Sequence, residues 1–118
     1  MYAYEFADPN PPALSPAPPL MPMGAQHASE LWYLFDLGGV PPKLDADRRR
    51  LSREMIGSWT GFAAAGALGK GGGPRWPRFT TAGDRAPHVR SLAPGEGGGR
   101  PVDLAAEHHC AFWAELGR

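Results

Sequence analysis

Apolar side chains in this sequence fall into four short groups, separated by long stretches rich in glycine, proline and polar residues. The groups are residues 2–6, 31–37, 51–68 and 104–116. In the first group, large and small side chains alternate, which is typical of a strand. This strand places Tyr2, Tyr4 and Phe6 on one face.

A short helix is predicted over residues 29–37. Leu31, Leu34 and Phe35 recur at helical spacing along this segment. Ser29 is placed to cap the first turn. The glycine and proline pairs that follow end the helix.

The strongest helical pattern covers residues 46–66, the predicted main helix. Asp45 or Asp47 can cap its start, and Gly66 ends it. One face carries an apolar stripe fit to pack against another element. The stripe consists of Leu51, Met55, Ile56, Trp59, Phe62 and Ala63.

A terminal helix is predicted over residues 103–116. Leu104, His108 and Phe112 share one face of it. Cys110 lies on its flank, where a small core residue is expected. Because the chain has one cysteine, no internal disulfide can form.

Two regions are predicted to be mainly loop. Residues 7–24 contain seven prolines and form a stiff extended loop, or alternatively a polyproline ligand for a partner. Residues 67–101 form a Gly/Pro-rich linker region in which Val89 to Leu92 favour a short strand. At 118 residues the chain forms at most one domain, and with 16 glycines and 14 prolines between its apolar groups we do not expect it to fold cooperatively by itself.

Charge and hydropathy exclude some function classes. Twelve basic and twelve acidic side chains cancel, and the one basic cluster, Arg48 to Arg50, is interpreted as a solvated helix turn beside Asp45 and Asp47. Nucleic-acid binding calls for more basic residues spread along a face, and is not expected. No apolar run approaches the ~20 residues of a membrane span, and the first residues do not form a signal peptide.

His27 is the leading candidate for chemistry. It lies between the proline-rich loop and an apolar helix, flanked by small residues. A general base needs such an exposed and fixed position, although a lone loop histidine is also compatible with a plain surface role. Glu30, three residues later, is interpreted as a structural carboxylate; a metal site with His27 would need further ligands.

The remaining motifs lack the context that chemistry requires. His108, His109 and Cys110 are adjacent on a predicted helix and point about 100° apart, so no metal site is expected. The stretch 57–61, Gly-Ser-Trp-Thr-Gly, places its serine one position too early for the nucleophile turn G-x-S-x-G, and within a helix. The glycine runs lack phosphate-loop features, so no cofactor is expected.

Five segments in order resemble the C-terminal end of type-B carboxylesterases, the cholinesterase-like α/β-hydrolases. They are YAYEF (2–6), GAQHASELWYLF (24–35), LSREMIGSWTGFAAAG (51–66), PRWPRF (74–79) and HHCAFW (108–113). The resemblance implies an α/β fold in which residues 2–6 form the last core strand, followed by the catalytic-histidine loop. Covering helices come next, with small terminal strands beginning near residues 76–79.

The same resemblance implies the roles of the site residues. His27 matches the histidine of the family's catalytic triad, and Glu30 matches a buried acidic residue that supports the site. The family's serine, oxyanion glycines and triad acid precede the matching region. We therefore expect a C-terminal fragment of a serine carboxylic-ester hydrolase, inactive without its N-terminal part.

Substrates implied by the family are small-molecule carboxylic esters. Cytoplasmic and secreted locations both stay open, because an N-terminal signal would lie outside the fragment. The family's usual T-G-D-P-N after the long helix is replaced here by residues 66–69, Gly-Ala-Leu-Gly. Two other hypotheses remain: a non-enzymatic interaction module, and a non-functional truncated remnant.

Overall fold

A computed structural model describes residues 1–14, 20–68, 75–82 and 87–117 of the chain. Within these ranges, three short strands and four helices form. In chain order they are β1 (Tyr4–Phe6), α1 (Leu31–Leu34), α2 (Ala46–Ala65), β2 (Val89–Leu92), β3 (Pro101–Val102), α3 (Leu104–Glu107) and α4 (Cys110–Leu116). None of these helices combines the length and the apolar character needed to cross a membrane.

The strands form one mixed sheet in the order β1-β2-β3. β1 and β2 are parallel, with Tyr4 opposite Arg90, whereas β2 and β3 are antiparallel. The Arg90 N–H donates to the Ala3 carbonyl at 3.1 Å, and the Ala7 N–H donates to the Leu92 carbonyl at 3.0 Å. A parallel pair needs a long crossover connection, and here the connection contains α1 and α2. A mixed sheet with helices is consistent with the predicted α/β class.

The core lies where the sheet meets α1 and α2. Its buried centre consists of Tyr33, Leu51, Met55 and Leu92. Aromatic rings extend it toward β1: the ring centroids of Tyr4 and Trp59 lie 5.0 Å apart, and those of Phe6 and Tyr33 lie 5.1 Å apart. Both pairs are edge-to-face, the arrangement that aromatic quadrupoles favour. The same contacts fix α1 and α2 against β1.

α2 confirms the predicted main helix and both of its ends. The Asp45 carboxylate accepts a hydrogen bond from the Arg48 N–H at 2.8 Å and caps the first turn. Gly66 has a φ of 65° and follows the last helical residue. This left-handed conformation is the one that glycine adopts most easily at a helix end.

α1 is shorter than the predicted helix over 29–37. Its N-cap is Glu30, so the helix begins two residues later than predicted, after the left-handed Ala28 with its φ of 66°. Ser29 is not the N-cap, because its hydroxyl donates to the Gln26 carbonyl at 2.7 Å. Phe35 adopts an extended conformation and ends the helix after one turn.

The predicted terminal helix over 103–116 is broken into α3 and α4. Asp103 caps α3 as predicted, accepting from the Ala106 N–H at 3.1 Å. The break lies at His109, whose left-handed φ of 51° interrupts the helical path. The prediction that Cys110 is a core residue is wrong, because its side chain is exposed.

Three loop predictions have mixed outcomes. The strand at Val89–Leu92 is confirmed inside the 67–101 region, and β3 follows it. The segment around Trp76, where terminal strands were expected to begin, is not a strand. The indole N–H of Trp76 donates to the Ala3 carbonyl at 3.1 Å. Residues 15–19, 69–74 and 83–86, which belong to the predicted loops, lie outside the described residues.

Candidate active site

His27 lies in a turn directly before α1, and its side chain is exposed. Backbone hydrogen bonds hold the residues around it: the Ser29 N–H donates to the Gln26 carbonyl at 3.1 Å, and the Leu31 N–H donates to the Ala28 carbonyl at 3.1 Å. Ser29 is buried and anchors this turn from inside. The imidazole is therefore accessible to solvent, while hydrogen bonds hold the backbone of the turn that carries it.

Glu30 is half-buried at the start of α1, and its side chain does not cap the helix. Burial, followed by the negative charge of Glu30, raises the pKa of Tyr4. Glu30 therefore exerts its charge toward β1. Among the described residues, no hydrogen bond joins the Glu30 carboxylate to His27, although both residues lie in the turn that precedes α1.

A buried polar network lies at the base of this loop. Asp8 follows β1 and is fully buried. The Arg48 guanidinium, from the first turn of α2, donates through Nε to Asp8 Oδ2 at 2.8 Å and through Nη2 to Oδ1 at 3.0 Å. The Tyr33 hydroxyl, from α1, donates to the same carboxylate. One side chain thus connects β1, α1 and α2.

The network holds its members in fixed protonation states. Burial raises the pKa of the Asp8 carboxyl, but hydrogen bonds from Arg48, Tyr33 and the Asn10 N–H outweigh it, so this pKa lies below its ordinary value. Burial and the hydrogen bond to Asp8 raise the pKa of Tyr33. The hydrogen bond to Asp8 also raises the pKa of Arg48. At neutral pH the network is a carboxylate, a guanidinium and a phenol.

Asp8 and Tyr33 are site residues that no sequence pattern indicated, and the prediction that Arg48 belongs to a solvated helix turn is wrong. Arg49 and Arg50 are exposed, as a solvated helix turn requires, but Arg48 turns inward. Asp8 lies 25 residues from Tyr33 and 40 from Arg48, beyond any helical or strand period. The local signal in the sequence was the position of Arg48 three residues after Asp45. The Asp45 carboxylate forms an ion pair with Nη1 of the Arg48 guanidinium.

No metal site is formed by the described residues: no group of three or more His, Cys, Asp or Glu side chains converges. His108 instead pairs with Glu5 across 2.5 Å. His109 and Cys110 beside it are exposed.

A separate cleft of about 390 Å³ lies between the first half of α2 and the loop that joins β2 to β3. Its charged lining includes Asp47, Arg50, Glu54 and Glu96. Neither His27 nor Glu30 lines it, so this cleft is not part of the histidine site.

Comparison with known proteins identifies relatives of this chain. The family model of the carboxylesterase family matches residues 1–113. Acetylcholinesterase from Gallus gallus is 33% identical over 97 residues, covering 80% of this chain and 12% of that protein. Bile salt-activated lipase from Rattus norvegicus is 35% identical over 86 residues, covering 68% of this chain and 13% of that protein. No solved structure matches the chain significantly.

The chain belongs to the carboxylesterase family. The resemblance stated from the sequence is thereby confirmed, and the family is one of carboxylic ester hydrolases. The matched segment spans only 12% and 13% of the length of the two relatives.

Proposed function

We propose that this chain is the C-terminal part of a serine carboxylic-ester hydrolase and that His27 is its general base. The observation that carries the proposal is the exposed imidazole on a hydrogen-bonded turn, in a chain matched by the family from residue 1 to 113. A base must reach its proton without moving, and this turn provides access and rigidity together.

In the proposed reaction, a serine in the rest of the hydrolase attacks the ester carbonyl. His27 accepts the serine proton, and the protonated imidazole then gives that proton to the leaving alcohol. A water molecule repeats the sequence on the acyl-enzyme. In this proposal Glu30, three residues away in the same turn, is the residue that supports the site.

The described serines do not offer a substitute nucleophile. Ser29 and Ser52 donate their hydroxyls to backbone carbonyls, at 2.7 Å in each case. Ser91 is buried in β2, and Ser58 lies within α2. These positions support the proposal that the chain is inactive without a partner segment.

The proposed partner is the remaining part of the same hydrolase. Among the described residues, β1 is an edge strand, and alternation directs the backbone groups of Tyr4 and Phe6 away from β2. Apolar side chains flank the His27 turn in exposed positions: Met21, Met23 and Phe35. An edge strand and exposed apolar side chains each favour burial by further protein.

The test compares the chain alone with a chimera in which it replaces the matching C-terminal segment of a host carboxylesterase. The substrate is a chromogenic short-chain carboxylic ester. We expect the chain alone to hydrolyse the ester no faster than free imidazole at equal concentration, and the chimera to turn over. Rapid turnover by the chain alone, or a folded chimera without activity, would contradict the proposal.

The role of His27 is tested by His27→Ala in the chimera. Loss of a triad member lowers kcat by about 10⁴-fold to 10⁶-fold. The matched control is His109→Asn, an exposed histidine in a left-handed conformation that asparagine tolerates. We expect the control to keep full activity.

A further inference from the structure

The loop that carries His27 has its two ends joined through one carboxylate, that of Asp8. It leaves β1 at Ala7 and enters α1 at Leu31. Asp8 stands at its beginning, and Tyr33 stands just beyond its end. Both side chains are almost completely buried, with exposed fractions of 0% and 1%. The contact between them therefore fixes where the loop starts and where it ends.

Arg48, which lies in α2, binds the same carboxylate. Its guanidinium holds both oxygens of Asp8, and Nη2 also donates to the Asn10 carbonyl at 2.9 Å. Nη1 donates to the Asp45 carboxylate. The planar fork of arginine makes this arrangement possible, whereas the single ammonium of lysine could not hold both oxygens in one plane.

A rigid path leads from this network to His27. The Ser52 hydroxyl of α2 donates to the Tyr33 carbonyl at 2.7 Å, so α1 is held to α2 by backbone as well as side chain. α1 is continuous with the turn that contains Ser29. His27 lies six residues before Tyr33 on this path. These hydrogen bonds connect Tyr33 to the turn that carries the imidazole.

We infer that Arg48, Asp8 and Tyr33 are positioning residues that clamp the His27 loop and set the location of its imidazole. The inference rests on the proposed function, because positioning matters when His27 acts as the base. The three residues touch neither the imidazole nor a substrate and act through α1 and its preceding turn. Displacement of a catalytic group by about 1 Å can cost 100-fold in rate.

The first test uses the 118-residue chain and needs no activity. Backbone hydrogen exchange is followed at the Ser29 and Leu31 amides, which form the turn, and at the Gly66 amide, which ends α2 with a 2.7 Å bond to Phe62. In Tyr33→Phe, which keeps the ring, we expect exchange at the turn amides to rise about tenfold while that at Gly66 is unchanged. The tenfold figure corresponds to one lost buried hydrogen bond.

The second test uses the chimera and separates kcat from KM. We expect Tyr33→Phe and Arg48→Lys to lower kcat by about 10-fold to 100-fold with KM nearly unchanged. Arg50→Lys is the matched control, because Arg50 forms an exposed ion pair with Asp47 at 3.1 Å. We expect Arg50→Lys to leave both parameters as they were.

The outcomes separate the two proposals. Full activity of His27→Ala would overturn the role of His27, while the exchange measurement would still report on the clamp. An inactive His27→Ala together with unchanged exchange and unchanged kcat in both clamp variants would overturn the clamp alone. Turn amides that are already unprotected in the unmodified chain would overturn it as well.

Discussion

His108 Nε2 lies 2.5 Å from Glu5 Oε1, joining the break between α3 and α4 to the first strand across 103 residues of sequence. Glu5 alternates with Tyr4 and Phe6 along β1, so it points to the sheet face opposite α2. The pair therefore holds the C-terminal helices to the face that α2 leaves open.

We expect His108→Ala to lower the free energy of unfolding by about 0.5–1 kcal/mol, because the imidazole is half-exposed and such pairs contribute little. Urea unfolding followed by circular dichroism measures this change. His109→Asn, which removes a neighbouring histidine without this partner, should leave the midpoint unchanged. Equal losses in the two variants would show that the Glu5 contact is not what stabilises this region.

The lowered pKa of Asp8 predicts acid sensitivity. Its carboxylate contributes stability that is present above the ordinary aspartate pKa of about 3.9 and is lost as the pH falls through the lower pKa of the folded state. At neutral pH, Asp8→Asn should cost about 3 kcal/mol, because it leaves Arg48 without its buried partner. Urea unfolding from neutral to strongly acidic pH should show this difference shrink below about pH 4. A difference independent of pH would contradict the assignment.

The raised pKa of Tyr33 predicts that folding stability is also lost at high pH. Folding holds the phenol proton, so its contribution is complete below the ordinary tyrosine pKa of about 10 and is lost as the pH rises through the higher folded value. Because the pKa of Tyr4 is raised as well, ultraviolet absorbance of the tyrosinates should show more than one late-titrating tyrosine in the unmodified chain. Tyr33→Phe should remove one of these steps. An unchanged number of late steps in Tyr33→Phe would contradict the assignment.

Substitution by alanine should lower the stability of the fold at Gly98 and raise it at Gly57. A Cβ at Gly98 would lie 1.9 Å from the Ala93 carbonyl oxygen, so Gly98→Ala must displace backbone in the loop between β2 and β3. A Cβ at Gly57 meets nothing within 4 Å in the described chain, so Gly57→Ala should raise helix stability by about 1 kcal/mol. Thermal unfolding compares them directly. A neutral Gly98→Ala would contradict the loop geometry.

The elements that could be predicted from sequence are those set by local chemistry. α2 has an apolar stripe, an aspartate cap and a closing glycine, and its bounds match the prediction closely. The end of α1 at the extended Phe35 and the break at the left-handed His109 are not indicated by sequence patterns.

The candidate site likewise has one part that the sequence indicated and one part that it did not. His27 stands out because small residues flank it and a loop meets a helix there. The Asp8, Tyr33 and Arg48 network has no sequence period, since it forms only when three elements meet. Long-range polar contacts of this kind follow from the tertiary fold, so they could be found only in the structure.

The most direct test of the central claim is kcat/KM for ester hydrolysis by the chimera with and without the His27 imidazole. If His27 is the base, His27→Ala should lower kcat/KM by about 10⁴-fold to 10⁶-fold, whereas His109→Asn should keep full activity. A folded His27→Ala chimera that keeps its kcat/KM within tenfold of the unmodified chimera would contradict the account.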